Sequence, residues 1–326
     1  MPLALVALLM SCAEPYVYPS NGKQVLPQLT DTHAVMDDGY RLPLTRWTSV
    51  GNTRAIVLAV HGLNEYSFVF DSLGQYLSSH GITLIAYDQR GFGNSAGQGL
   101  WHGSERLGRD LVAVTELVRE QHNDIPLYLL GESMGGAVVL SSLASTHLDV
   151  DGSILLAPAV WTRDSMPFYQ RFGLWLAAHT MPSRKLTGEG LDLMPSDNID
   201  MLRTLSRDEL VIKATRVDVL YGISNLMDNA MIASSEVSGN ILLLYGQHDD
   251  IIPAPPVCEL YDMLSASKAI RLSAASYPDG YHMLARDLQA ERVHADIAAW
   301  MTGPGPDIPS SNSMHSFCVA QAGSDE

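Results

Sequence analysis

Five short apolar runs, at 55–60, 83–87, 127–130, 153–156 and 241–245, set the narrowest limit on what this chain can fold into. Each is rich in aliphatic or β-branched residues and is apolar at both odd and even positions. A half-buried strand alternates in polarity, whereas a strand apolar on both parities has to be covered on both faces, as in a parallel sheet. Helix-period stretches lie between the runs. Val69, Leu73, Tyr76 and Leu77 follow i, i+4, i+7, i+8, and Leu107, Leu111, Val114 and Val118 follow i, i+4, i+7, i+11. Strand, helix and strand in succession predict right-handed crossovers and an open α/β sheet. Ligands of such sheets bind beyond the carboxyl ends of the strands, so the loops that follow strands are the places to search. No internal repeat is visible. The alternation breaks at about 159–236 and resumes at Ile241. The 326 residues are therefore read as one α/β domain over 31–302 with an inserted helical cap, not as two domains.

Composition narrows the function classes. Hydrophobic residues make up 46% and charged residues 17%, which excludes a disordered or fibrous chain. The formal net charge of −16 excludes an electrostatic nucleic-acid binder, because phosphate neutralisation needs clustered Lys and Arg. It also speaks against docking on an anionic bilayer by charge. The three cysteines, Cys12, Cys258 and Cys318, show no metal-ligand spacing and no disulfide framework.

The two ends read differently from the middle. Residues 1–12, MPLALVALLMSC, carry an apolar run too short to span a bilayer but of the length of a signal-peptide core, with Ser11 small beside Cys12. The segment resembles a bacterial lipoprotein leader. That resemblance implies lipidation of Cys12, a tether at 13–30 and a membrane-anchored place in the cell envelope. Met10 is bulkier than usual there, and no Lys or Arg precedes Lys23. An apolar N-terminal strand or a frayed start, on a cytoplasmic protein, is the alternative. Residues 303–326, rich in Gly, Pro and Ser at their start, are expected to be a disordered tail in which Cys318 is incidental.

Gly131-Glu132-Ser133-Met134-Gly135 joins the run 127–130 to a helix-like run at 137–143. This G-x-S-x-G stands where its mechanics require it, on a tight strand-to-helix turn that lifts a serine hydroxyl above the sheet. A serine hydroxyl becomes a useful nucleophile only beside a base, and the base needs a third group to orient it. On turns of this kind the acid and then the histidine follow the serine in the chain. Asp249 and Asp250, after the run 241–245, are the candidate acids. His282, after an expected last strand at 269–273, is the candidate base. His61 is read as shaping a loop, His248 as loop-structural, His102 as a helix cap or pocket wall, and His294 as a surface residue.

On these residues, together with His61-Gly62-Leu63-Asn64-Glu65, the run DQRGFGNS from Asp88 and GQHDDIIP from Gly246, the chain resembles the monoacylglycerol lipase/lysophospholipase branch of the α/β-hydrolases, also called serine aminopeptidase S33-like. The matching segments run from about 55 to 300. The resemblance implies an α/β-hydrolase fold, a mostly parallel sheet flanked by helices with an inserted cap. It implies a Ser133–His282–Asp249 triad, the family pattern around the acid selecting Asp249 over Asp250. It also implies an oxyanion hole made by the backbone amides of Leu63 and Met134. Tyr66 departs from the family, which often has His there. The implied activity is hydrolysis of monoacylglycerols, lysophospholipids or related single-chain esters through an acyl-enzyme, with no cofactor and no metal. The competing readings are a peptidase or haloperoxidase on the same fold, or a non-catalytic lipid- or partner-binding protein. Two readings of the apolar cap stretch from Met166 to Met181 stand side by side: an acyl-chain funnel that touches membrane, or a helix buried on the core. Any membrane contact is expected to depend on Cys12 and this cap, and the oligomeric state is not legible.

Overall fold

The computed structural model describes residues 15–20, 22–188, 190–303 and 312–323. Its strands are β1 (Gln28–Leu29), β2 (His33–Val35), β3 (Arg41–Trp47), β4 (Ala55–Val60), β5 (Ile82–Tyr87), β6 (Leu127–Glu132), β7 (Gly152–Leu156), β8 (Lys185–Leu186), β9 (Thr215–Arg216), β10 (Gly239–Gly246), β11 (Ile270–Tyr277) and β12 (Asn312–Ser313). Its helices are α1 (Asp71–Ser79), α2 (Ser104–Gln121), α3 (Met134–Ser145), α4 (Phe168–Thr180), α5 (Ile199–Arg207), α6 (Val217–Ala233), α7 (Ala254–Ala266), α8 (Ala290–Thr302) and α9 (Met314–Ala322). Ten strands form one sheet in the order β1-β2-β3-β5-β4-β6-β7-β10-β11-β12. The pairs from β5 to β11 are parallel, and the flanking pairs are antiparallel. This is the α/β-hydrolase architecture.

The reason for runs apolar on both parities is now visible. Ile56, Leu58 and Val60 of β4 pack on one side with α2, α3, α6 and α7. Ala55, Val57 and Ala59 pack on the other side with α1 and α8. Both faces are dry, so no position in the strand is free to be polar. The sequence reading did not register β1–β3, the antiparallel edge. There β3 carries Pro43 and its residues are mostly half-buried, so its pattern is weak. Strand pairing begins at Gln28 rather than after residue 30. The preceding stretch is partly docked, through the Tyr18 amide to the Trp101 carbonyl at 2.7 Å.

The expectation of a disordered tail fails over 312–323. Helix α9 buries Met314, Phe317 and Cys318, and Phe317 lies against Tyr245 of β10. The spacing i, i+3, i+4 of those three residues is a short amphipathic signal that the Gly- and Pro-rich residues before it obscured. The expectation of no disulfide fails with it. Cys258 of α7 and Cys318 of α9 are bonded, with their Cα atoms 5.4 Å apart. Sixty residues separate them, and closing a loop of that size costs the unfolded chain on the order of 4 kcal/mol. Cys12 lies outside the described residues.

The segment 159–236 is not all cap. Helix α6 buries Val219, Ile223, Leu226 and Ala230 in the main core, and Gly222 leaves room for the Trp101 indole. The insertion proper ends near β9, which pairs with β8 in a separate two-stranded ribbon. Helix α4 is neither deeply buried nor a pocket wall. Only Ala178 of it is buried, while Phe168, Tyr169, Phe172 and Trp175 are exposed. No helix among the described residues is long and apolar enough to cross a membrane.

Candidate active site

Ser133 sits between the end of β6 and the first residue of α3 with φ 53° and ψ −117°, in the left-handed half of backbone space. Such a conformation costs a non-glycine residue on the order of 1–3 kcal/mol and persists only where its surroundings fix it. Here they do. The Ser133 amide donates to Leu156 of β7 at 3.0 Å, and its carbonyl accepts from Gly136 and Ala159, both at 2.9 Å. The turn is tight enough that a Cβ on Gly135 would stand 2.0 Å from the Val60 carbonyl at the end of β4. Any side chain there would push the turn off the sheet.

Two further loops meet the serine. Asp249 follows β10, and His282 follows β11. A Cβ on Gly246 would lie 2.5 Å from backbone of Gly280 and Tyr281, so glycine lets the two loops abut, and the His248 amide reaches the Gly280 carbonyl at 2.8 Å. His282 Nδ1 is 2.8 Å from Asp249 Oδ2, and its Nε2 is 3.0 Å from Ser133 Oγ. Asp249 Oδ1 accepts the amides of Ile251 and Ile252 at 2.8 and 2.9 Å. With Nδ1 donating to the carboxylate, Nε2 is left as an acceptor facing the serine hydroxyl, the tautomer a general base needs. Asp250 points elsewhere, accepting the Met194 amide at 3.4 Å. Burial disfavours a charged imidazole, but the Asp249 carboxylate and its hydrogen bond, with Glu132 and Glu65 behind them, raise the His282 pKa above its ordinary 6.5.

Beneath the loop 61–66 lies an ion cluster that the sequence reading missed. Arg286, four residues after His282, donates to Glu65 Oε1 and Oε2 at 2.6 and 3.0 Å and to Glu132 Oε1 at 2.9 Å. All three side chains are buried. One cation thus joins the histidine loop, the loop after β4 and the residue before the serine. Burial raises the pKa of Glu132. The only signal in the sequence was a charge at each place, and charges are too common to pair across such distances along the chain.

Leu63 lines the same cavity as Ser133, and Met134 follows the serine in the chain. Met134 opens α3, where first-turn amides have no acceptor within the helix. Asp88 braces the neighbouring turn, accepting the Ser67 amide and hydroxyl at 2.9 and 2.6 Å and the Asn94 amide at 2.8 Å. His61 is buried, with Nε2 3.0 Å from the Gln89 amide and Nδ1 2.7 Å from the Gly62 carbonyl. His248 stacks on Tyr281. His102 neither caps α2 nor lines the pocket. It packs edge-on against Tyr18 and Tyr40, and burial lowers its pKa to about 4. His294, expected on the surface, is buried instead, and its Nε2 is 2.8 Å from the Ala285 carbonyl. A helix-period reading places it on α8 but does not say that this turn faces the histidine loop.

A cavity of about 340 Å³ opens over Ser133 and His282. Leu202 and Leu205 of α5, with Val211 and Ile251, give it an apolar wall, and Lys213, Glu65 and Arg286 add charged groups to its lining. The volume lies in the range of small-molecule sites, and a mostly apolar wall with few polar groups suits an acyl chain.

The sequence matches the Hydrolase_4 family model, serine aminopeptidase S33, over residues 51–289. It is 25% identical to mouse monoglyceride lipase over 290 residues, covering 87% of this chain and 94% of that protein. It is 24% identical to the monoacylglycerol lipase of Mycolicibacterium smegmatis over 278 residues, covering 81% and 93%. Among solved structures, a monoacylglycerol lipase of Paleococcus ferrophilus superposes with a TM-score of 0.66 at 23% identity, covering 80% of this chain and 98% of that one. A soluble variant of monoglyceride lipase from Saccharomyces cerevisiae gives 0.69 at 20%, covering 88% and 98%. These two likenesses bear on the fold. The chain belongs to the serine aminopeptidase S33 family, in the monoglyceride-lipase-like branch of the α/β-hydrolases, and is a serine ester hydrolase.

Proposed function

We propose that this enzyme cleaves monoacylglycerols, lysophospholipids or related single-acyl-chain esters through an acyl-enzyme on Ser133. The observation that carries the reading is the continuous chain from Asp249 through His282 to Ser133 Oγ beneath a cavity with an apolar wall. His282 Nε2 takes the hydroxyl proton as Oγ bonds to the ester carbonyl carbon. The carbonyl oxygen becomes an oxyanion held by the amides of Leu63 and Met134. As the intermediate collapses, the carbon–oxygen bond to the alcohol breaks, and the alcohol leaves with the proton from Nε2. Water then repeats the sequence on the acyl-enzyme and regenerates Ser133. The relatives' names, monoglyceride and monoacylglycerol lipase, support the substrate class. The test is hydrolysis of a series of monoacylglycerols and lysophosphatidylcholines, together with fluorophosphonate labelling. Activity on one of these series, with labelling lost in Ser133→Ala, is expected. Labelling that persists in Ser133→Ala sinks the assignment.

The place of action proposed is the bacterial cell envelope, with the chain anchored through a lipidated Cys12. The Cys258–Cys318 disulfide supports export, since such bonds persist in oxidising compartments. The exposed aromatic face of α4 supports contact with a lipid surface, as apolar patches of this kind mark interaction sites. Metabolic labelling with palmitate is expected to mark the protein and to be lost in Cys12→Ser. An unlabelled wild-type chain overturns the anchor.

A further inference from the structure

The loop that carries Leu63 belongs to no helix or strand, so its position depends on what ties it down. Asn64, next to Leu63, has φ 67° and is itself in the left-handed region. On the core side, Glu65 is held by Arg286. On the cap side, three bonds reach one short strap between α5 and β9. The Ile212 amide donates to the Asn64 carbonyl at 2.9 Å. Asn64 Nδ2 donates to Thr215 Oγ1 at 2.7 Å, and the Tyr66 hydroxyl donates to Asp208 Oδ2 at 2.7 Å. The strap is stiffened from within. Lys213 Nζ donates to the carbonyls of Leu205, Asp208 and Val211 at 2.6, 2.7 and 2.9 Å. Asp208 Oδ1 accepts the Leu210 amide at 2.9 Å. Val211 and Lys213 of the strap, with Leu205 of α5, also wall the cavity.

We propose that the cap strap 208–215 sets the oxyanion loop in its working position, with Tyr66 and Asp208 as positioning residues that make catalysis depend on where the cap sits. The proposal rests on the reading of Leu63 as an oxyanion donor. An oxyanion donor has to stand within about 2.7–3.1 Å of the developing charge, so small displacements of its loop matter. The Tyr66–Asp208 bond has a charged acceptor and is the strongest kind of tether available to a half-buried phenol. When the cap moves to admit a substrate, the strap carries all three tethers with it. When it returns, the wall of the cavity and the loop under it are restored together. A substrate that fills the apolar wall and holds the strap down would thereby complete its own oxyanion hole, a form of induced fit.

The test uses Tyr66→Phe, Asp208→Asn and the double variant, assayed on a soluble p-nitrophenyl ester. Each single variant is expected to lower kcat by about 10- to 100-fold with KM changed less than about twofold, because misplacing a catalytic group acts on the transition state. The double variant is expected to be no worse than the worse single one, since one removes and the other weakens the same charge-assisted tether. Affinity for phenylboronic acid, whose tetrahedral adduct places an oxygen in the hole, should fall in step with kcat/KM. A wild-type kcat in both single variants overturns the proposal, and so does a raised KM with kcat unchanged. Asp208→Asn keeps the size and place of the side chain, so it gives the answer if Tyr66→Phe fails to fold. Failure of the catalytic reading would look different: the unaltered protein would show no hydrolysis that depends on Ser133.

Discussion

Asp249→Asn is expected to lower kcat for ester hydrolysis by about 10,000-fold, while Asp250→Asn leaves it within about twofold. The first effect follows from the tautomer. Asp249 Oδ2 accepts the proton on His282 Nδ1, and its other oxygen is held by the amides of Ile251 and Ile252. An asparagine held in the same place offers an N–H toward Nδ1, so the proton moves to Nε2, and the ring presents a donor where Ser133 needs an acceptor. Losses of about four powers of ten are typical of that inversion. Asp250 accepts the amide of Met194 in the cap instead. The pH profile of the wild-type enzyme tests the same arrangement. The base works when neutral, and the folded site raises its pKa above 6.5, so the acid limb of kcat/KM is expected above pH 6.5. An acid limb below that value would mean that the carboxylates around the ring do not act as placed.

Arg286→Met is expected to lower the free energy of unfolding at pH 7 by about 3–5 kcal/mol, measured by chemical denaturation. Removing one partner from a buried ion pair leaves an uncompensated charge, which costs far more than the pair's own net contribution. Arg286 serves two carboxylates, Glu65 and Glu132, and all three groups are buried. The sign with pH is fixed by the same argument. Burial already raises the pKa of Glu132, and without the arginine nothing offsets it, so the folded form binds that proton more tightly than the unfolded chain and the deficit shrinks as pH falls. Arg203→Met is the control. Its ion pair with Asp200 on α5 is exposed on both sides, and such a pair is worth about 0–1 kcal/mol. A loss at position 286 no larger than at 203 would refute the cluster's role.

Those two predictions differ in how far the sequence alone could support them. The nucleophile and the acid were legible because each follows an apolar run that reads as a buried strand, the base because it follows the expected last strand, and parallel strands deliver their following loops to one end of the sheet. Asp249 against Asp250 was already decided by the family pattern, and the geometry places Asp249 on the ring. Arg286 was not legible, nor was the Tyr66–Asp208 tether. Each joins residues whose types are ordinary and whose separation along the chain carries no period.

What the sequence by itself determined, then, is the doubly covered parallel sheet, the serine on its sharp turn, and the order of the three groups that meet over it. The sheet and the turn rest on local signals, runs apolar on both parities, glycines where backbone crowds backbone and a helix period, while the order of the three groups is what the family resemblance implies. Only the tertiary structure decided the rest. It divided the segment 159–236 into a cap and the core helix α6, and it turned the aromatic side of α4 outward. It folded residues 312–323 onto α7 and closed Cys258 on Cys318, and it buried His294. Each of these depends on which surface a helix finally packs against, and a burial pattern a few residues long does not specify its partner.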